Sequence, residues 1–212
     1  MAISTYLEMQ AEVQLHLGGH ALATSTLVKD WLNRIYFMLT SVFRFHDLEA
    51  SDTSITTVNG TASYTTPSGI RVITSIRDTT NKLLLTPKDI DWYETQDDSS
   101  DAKARPEFWV RYGANLLLWP TPDGAYATRI RYRKEPTALS ADGDFTILPD
   151  EWDDVIILLT ASKGAFMLGM DRKGMNLKSE GLSILSQIVE DISKEQLRRV
   201  GQIAPQRRGQ DG

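Results

Sequence analysis

The residues best able to do chemistry are few, and their spacing argues mostly against it. Asp150, Glu151, Asp153 and Asp154 are the densest group of carboxylates. A hydrolase needs two carboxylates converging on one bond, one as acid and one as base. These four fall in the first turn of a helix opened by Pro149, so they splay around it. Compensation of the helix dipole accounts for them. His16 and His20 stand four residues apart with Glu12 four before, a spacing that on one continuous helix would present a metal face. Gly18 and Gly19 lie between the histidines and break that helix. His46, the third histidine, has no evident partner. The chain has no cysteine, which removes thiolate catalysis, disulfides and Cys-based zinc or iron–sulfur centres. No Ser-His-acid arrangement, phosphate loop or dinucleotide turn is present. The expectation is no catalytic residue, no cofactor and no metal. A hydrolase using the acids at 150–154 remains an alternative.

Two basic features stand out. Arg129, Arg131 and Arg133 alternate along a strand, with Arg111 a candidate neighbour. Three guanidiniums on one strand face suit phosphate or a partner's carboxylates. A solvated sheet face explains them equally. Lys and Arg number 23 against 28 Asp and Glu, for a net charge of −5, so any partner of this face is expected to be protein rather than DNA. From Lys194 onward the balance reverses to five basic and two acidic residues. Arg198 and Arg199 end a helix, where cations suit its dipole. Arg207 and Arg208 lie beyond Pro205, and Ile203 is the sole large apolar residue of 201–212. Such a tail cannot fold alone, and it suits docking on an acidic groove.

The elements that position these residues follow from periodicity. The first helix is capped by Ser4 and carries Tyr6, Met9, Val13 and Leu17 at helical spacing. A second starts near 24–26, with an inner stripe of Leu27, Val28, Trp31, Leu32, Ile35, Met38, Leu39 and Val42. Asp30, Asn33, Arg34, Phe37, Ser41 and Arg44 take its other face. Phe37 is the misfit there, either folded sideways onto the core or in contact with another subunit. From residue 52 the composition turns to Thr, Ser, Tyr and Ile. Asn59-Gly60 marks a hairpin between 55–58 and 61–64. Further strands are expected at 70–77, 82–85, 108–112, 116–119 and 125–134, with a helical turn at 87–96 and a mobile loop at 97–104. On the last strand Tyr126, Thr128, Ile130 and Tyr132 oppose the arginines. The helix after Trp152 is apolar nearly all round, so it is expected to be buried on both sides, with Gly164 and Gly169 admitting close neighbours. A final helix over 179–200 carries a seam of Leu182, Leu185, Val189 and Ile192.

The expected fold is α+β. Helices of 1–50 and 148–200 pack as one bundle, a small antiparallel β module of about six strands is inserted at 51–147, and 201–212 is a flexible tail. Residues 1–9 lack a basic start and a long apolar core, so no signal peptide is expected and the working class is a soluble intracellular protein.

The order of segments resembles the head–tail connector adaptors of tailed bacteriophages, including the tail tubular protein A group of short-tailed phages. The resemblance rests on a helical start ending near Phe43-Arg44-Phe45 and on the phrases Tyr64-Thr65-Thr66-Pro67, Ile70-Arg71-Val72-Ile73 and Leu117-Leu118-Trp119-Pro120-Thr121-Pro122. Ile130-Arg131-Tyr132 before Pro136, and Leu148-Pro149-Asp150-Glu151-Trp152 opening a helix pair, complete it. It spans about residues 27–192. It implies a structural ring of identical copies, usually a dodecamer, in the virion neck below the portal protein, made in the host cytoplasm. Tail or nozzle proteins would sit below, DNA would pass without specific binding, and no membrane would be involved. On this reading Arg198, Arg199, Ile203, Arg207 and Arg208 dock on the portal, while Phe37, Arg129, Arg131 and Arg133 meet a neighbouring subunit. A tail-accessory binding module is a further alternative.

Overall fold

The computed structural model describes residues 4–96 and 103–203. Most of the loop expected at 97–104 lies outside the described residues, as does the tail from 204 on. Of the described residues, 4–44 and 137–203 form one compact unit and 45–136 a second.

In the first unit, α1 (Tyr6–His16) is capped by Thr5, one residue later than expected. The Thr5 hydroxyl accepts from Glu8 N–H and the Glu8 carboxylate accepts from Thr5 N–H, a reciprocal capping box. Helix α2 (Ser25–Val42) is capped by Thr24. A 3-10 turn, Asp150–Trp152, leads into α4 (Asp153–Met167), and α5 (Asp171–Ile203) follows. Helix α4 packs against α1, α2 and α5. Ten of its residues from Val155 to Ala165 are buried, because a helix apolar on every side can face nothing but protein. Gly164 is where α2 and the end of α1 press closest. A Cβ there would stand 2.7 Å from the Trp31 ring and 2.9 Å from Leu17. Gly169 instead takes φ +73° between α4 and α5.

Asn33, expected on the polar face of α2, is a junction. Its side chain donates to Leu139 O (2.9 Å) and to the Tyr6 hydroxyl (3.0 Å), and accepts from Leu139 N–H (2.8 Å). Tyr6 OH in turn donates to Lys29 O at 3.0 Å. Burial, and then the charges of Asp142, Asp144 and Asp30, push the Tyr6 hydroxyl up to about 12.

The second unit is a curled seven-stranded sheet: β1 (Glu49–Asp52), β2 (Ser63–Thr65), β3 (Ile70–Asp78), β4 (Leu83–Pro87), β5 (Phe108–Tyr112), β6 (Asn115–Trp119) and β7 (Thr128–Lys134), with α3 (Ile90–Glu94) between β4 and β5. The strand order is β1-β7-β3-β4-β5-β6-β2. Ile55, Ile70, Ile73, Ile76, Leu85, Trp109, Leu116, Leu118 and Ile130 make its core.

This corrects the expected fold class. The chain is a mixed α/β protein with a large curled sheet and helices at both ends and in the middle, not a helical bundle carrying a small antiparallel insert. The sheet is not purely antiparallel either, because β4 and β5 pair in parallel. A parallel pair needs a crossover of a dozen residues or more. The stretch that carries α3 supplies one, and Trp92 of α3 pins it by packing tilted against Phe108 (4.9 Å) and edge-to-face against Trp119 (5.6 Å). The expected hairpin at Asn59-Gly60 also fails. The turn forms, with Thr61 N–H on Val58 O at 3.0 Å, but β2 pairs with β6 while Thr56 bridges to Ala127.

Gly164→Ala should force Trp31 or Leu17 to move, destabilising the fold by about 1–3 kcal/mol. Thermal unfolding checks this, and an unchanged midpoint would contradict the packing described.

Candidate functional site

The acidic group at 150–154 divides in two. Asp150, Glu151 and Asp154 are exposed, whereas Asp153 is only 4 % exposed. The Asp153 carboxylate accepts from Ser4 N–H (3.1 Å) and from the Thr146 hydroxyl (3.3 Å), tying the N-terminal segment and the preceding loop to the start of α4. Burial holds its pKa above the ordinary value, the two hydrogen bonds oppose this, and Asp150 and Asp154 add to the rise. Dipole compensation is therefore an incomplete account of this residue. Ser4, expected as a cap, binds Asp153 instead. With Asp153 engaged and buried, the four carboxylates do not converge on a common point.

His16 ends α1, and Gly18 and Gly19, at φ +69° and +63°, turn the chain away before His20. His20 Nδ1 accepts from Leu22 N–H at 3.3 Å. Among the described residues no three His, Cys, Asp or Glu side chains gather as a cation site would require. No helix there is long and apolar enough to cross a membrane.

The helices expose two sets of apolar residues, including members of the inner stripe expected on α2 and of the seam expected on α5. On α2, Leu27, Met38 and Val42 are 40, 45 and 69 % exposed, and Phe37 is 36 % exposed beside the Tyr36 ring. Tyr36 and Thr40 are buried in their place. On α5 the row of Leu182, Val189 and Ile192, extended by Met175, faces water. The side of α5 that meets α4 is Gly174, Leu177, Gly181 and Ile188. These residues are spaced by three, four and seven, which keeps them on one helix face, and a Cβ on Gly181 would stand 3.3 Å from Leu158 and Leu159. The α2 and α5 rows lie on helices that both pack on α4.

On β7, Thr128 and Ile130 are buried, Tyr132 packs against the sheet core, and Arg129, Arg131 and Arg133 take the opposite face as expected. Arg111 does not join them. Its guanidinium donates to Arg71 O and Ile70 O, each at 2.8 Å, and secures β5 against the start of β3. The aromatic group Trp92, Phe108 and Trp119, with Lys88 5.2 Å above Trp92, escaped sequence reasoning because its members lie far apart in the chain. Arg198, Arg199 and Ile203 lie on the backbone of α5, which runs three residues past its expected end. Arg207 and Arg208 lie outside the described residues.

Contact area and charge are what these described surfaces offer. The sequence makes this specific: residues 4–206 match the family described as SU10 adaptor protein, and the chain belongs to this phage adaptor family. No curated protein matches the chain.

Asp153→Asn keeps an acceptor for Ser4 N–H, whereas Asp153→Ala leaves the buried Thr146 hydroxyl and the part-buried Ser4 N–H unpaired and should cost about 1–3 kcal/mol. Because the native pKa lies above the unfolded one, the native state binds more protons between the two, and stability falls as pH rises through that window. Asn removes this dependence. Denaturant titrations should show the wild type gaining on Asp153→Asn as pH falls toward 3.8. A pH-independent difference would contradict the assignment.

Proposed function

We propose that the chain is a structural head-to-tail adaptor of a tailed phage, without catalytic activity. It assembles as a ring of identical copies beneath the portal protein in the virion neck, joins the portal to tail or nozzle proteins, and leaves DNA to pass through unbound. Family membership supports the adaptor role. The observation that carries self-assembly is the pair of exposed apolar rows on α2 and α5. Helix α4 is the shared neighbour of these helices, so each copy offers two different apolar faces. Two unlike faces make a heterologous contact, which closes into a ring when the rotation allows. Exposed apolar residues grouped on one helix face are the kind of surface that meets another protein. A dodecamer is the copy number the resemblance implies. Phe37 belongs to the α2 face in this reading. The basic residues Arg198, Arg199, Arg207 and Arg208, with Ile203 as apolar anchor, are assigned to the portal. The acidic balance of the chain suits a duct for DNA, since like charge discourages adhesion.

The heterologous contact has a distinctive test in the presence of portal. Leu182→Asp with Val189→Asp spoils only the α5 face, and Met38→Asp with Val42→Asp spoils only the α2 face. Each double variant alone should fail to form a ring. An equimolar mixture should yield dimers by native mass, because each variant keeps one sound face. Either variant assembling like the parent would refute the contact. Deleting residues 205–212 should leave the body folded and weaken portal attachment, and unchanged affinity at low and moderate salt would refute the tail's role.

A further inference from the structure

The face of the sheet opposite its core gathers positive charge. In the antiparallel register of β3 and β7, Arg77 lies directly opposite Arg129. Like charges directly opposite destabilise a strand pair. Both side chains are half-buried, and the Nε of each is shielded from water with no hydrogen-bond partner. Arg77 Nη2 donates to Lys82 O at 3.2 Å. Farther along β7, Arg131 stands opposite Ser51 and Ser75, and Arg133 opposite Glu49 and Val72. Among the described residues no ion pair engages Arg129, Arg131 or Arg133.

The chain also carries a fitting counterpart. Asp30, Asp142, Glu107 and Glu190 are already paired with Arg34, Lys29, Arg105 and Lys194. Asp150, Glu151 and Asp154 are exposed and in no ion pair among the described residues. They are rigidly presented, because Trp152 and Asp153 between them are 1 and 4 % exposed. Side chains three and four apart on a helical turn stand about 5–6 Å from one another. Alternate residues of a strand stand about 7 Å apart. The two sets are opposite in charge.

We propose that Arg77, Arg129, Arg131 and Arg133 of one copy receive Asp150, Glu151 and Asp154 of the next copy. This rests on the self-assembly reading and adds to it a charged contact that fixes which neighbour binds and in what orientation. Charge-assisted guanidinium–carboxylate pairs supply that orientation because their geometry is directional. They also offset the Arg77–Arg129 repulsion.

Charge reversal with rescue tests the pairing. Arg129→Glu, Arg131→Glu and Arg133→Glu together should raise the concentration for half-assembly with portal by about a hundredfold or more. Asp150→Arg, Glu151→Arg and Asp154→Arg together should do the same, and a chain carrying both sets should recover most of the loss. Circular dichroism confirms that each variant is folded. Assembly unaffected by either set, or no recovery in the combined chain, overturns the proposal while leaving the ring intact. Loss of DNA or tail-protein binding with assembly unchanged overturns it as well.

A second measurement works even if a reversed chain folds poorly. The chain has no cysteine, so Arg131→Cys and Asp154→Cys give variants with one thiol each. Mixed under mild oxidation, they should form the mixed disulfide about tenfold faster than either forms its own, as expected when docking raises the effective concentration. Equal rates overturn the pairing. Preferential mixed disulfides from a protein that forms no ring with portal would keep the pairing and discard the ring.

Discussion

Helix α4 is buried from Val155 to Ala165 except at Lys163, and the helical unit is arranged around that constraint. Its apolar surface needs cover on all sides, and α1, α2 and α5 provide it. Cover at close range requires small residues, which is why Gly164 sits under Trp31 and Gly181 of α5 sits against Leu158 and Leu159. The start of the helix is tethered through Asp153, whose carboxylate joins Ser4 and Thr146. Once α2 and α5 have turned Trp31, Leu32, Leu177 and Ile188 toward the unit's interior, their second apolar rows remain outside. The surface on which the proposed ring depends is thus a consequence of how α4 is buried.

Parts of this were legible in the sequence for definite reasons. The alternation of β7 separates Ile130 from its flanking arginines, and a period of two admits one arrangement once Ile130 is inside. The all-round apolarity of α4 likewise has one meaning. The orientation of α2 and α5 was less legible, because each has more apolar positions than one interface needs. On α2, Tyr36 and Thr40 go inside with their hydroxyls bonded, Tyr36 accepting from Ile147 N–H and Thr40 donating to Tyr36 O. They displace Met38 and Val42, which by hydrophobicity alone rank higher. On α5 the buried seam includes Gly174 and Gly181, residues with no apolar side chain, chosen for closeness rather than hydrophobicity.

The sheet was harder still. Local signals found most strands, yet the parallel β4–β5 pair is accompanied by ring contacts of Trp92 with residues 16 and 27 positions away. The turn at Asn59-Gly60 was read correctly as a turn and wrongly as a hairpin, because pairing is decided by which strand reaches β2, and β6 does. For the candidate surfaces, the arginine row is visible from residue types, but the placing of Arg77 opposite Arg129 is not, since that is a property of the assembled sheet. Asp153 shows the converse: among four neighbouring acids, only the fold distinguishes the buried one.

The central claim is that copies of this chain bind one another through unlike faces. Native mass spectrometry of the unmodified protein, titrated with portal, tests it most directly. The account predicts a single closed species with a fixed number of copies on each portal and no open-ended series. Attachment of isolated chains, with copy number rising independently of whether neighbouring sites are filled, would contradict it.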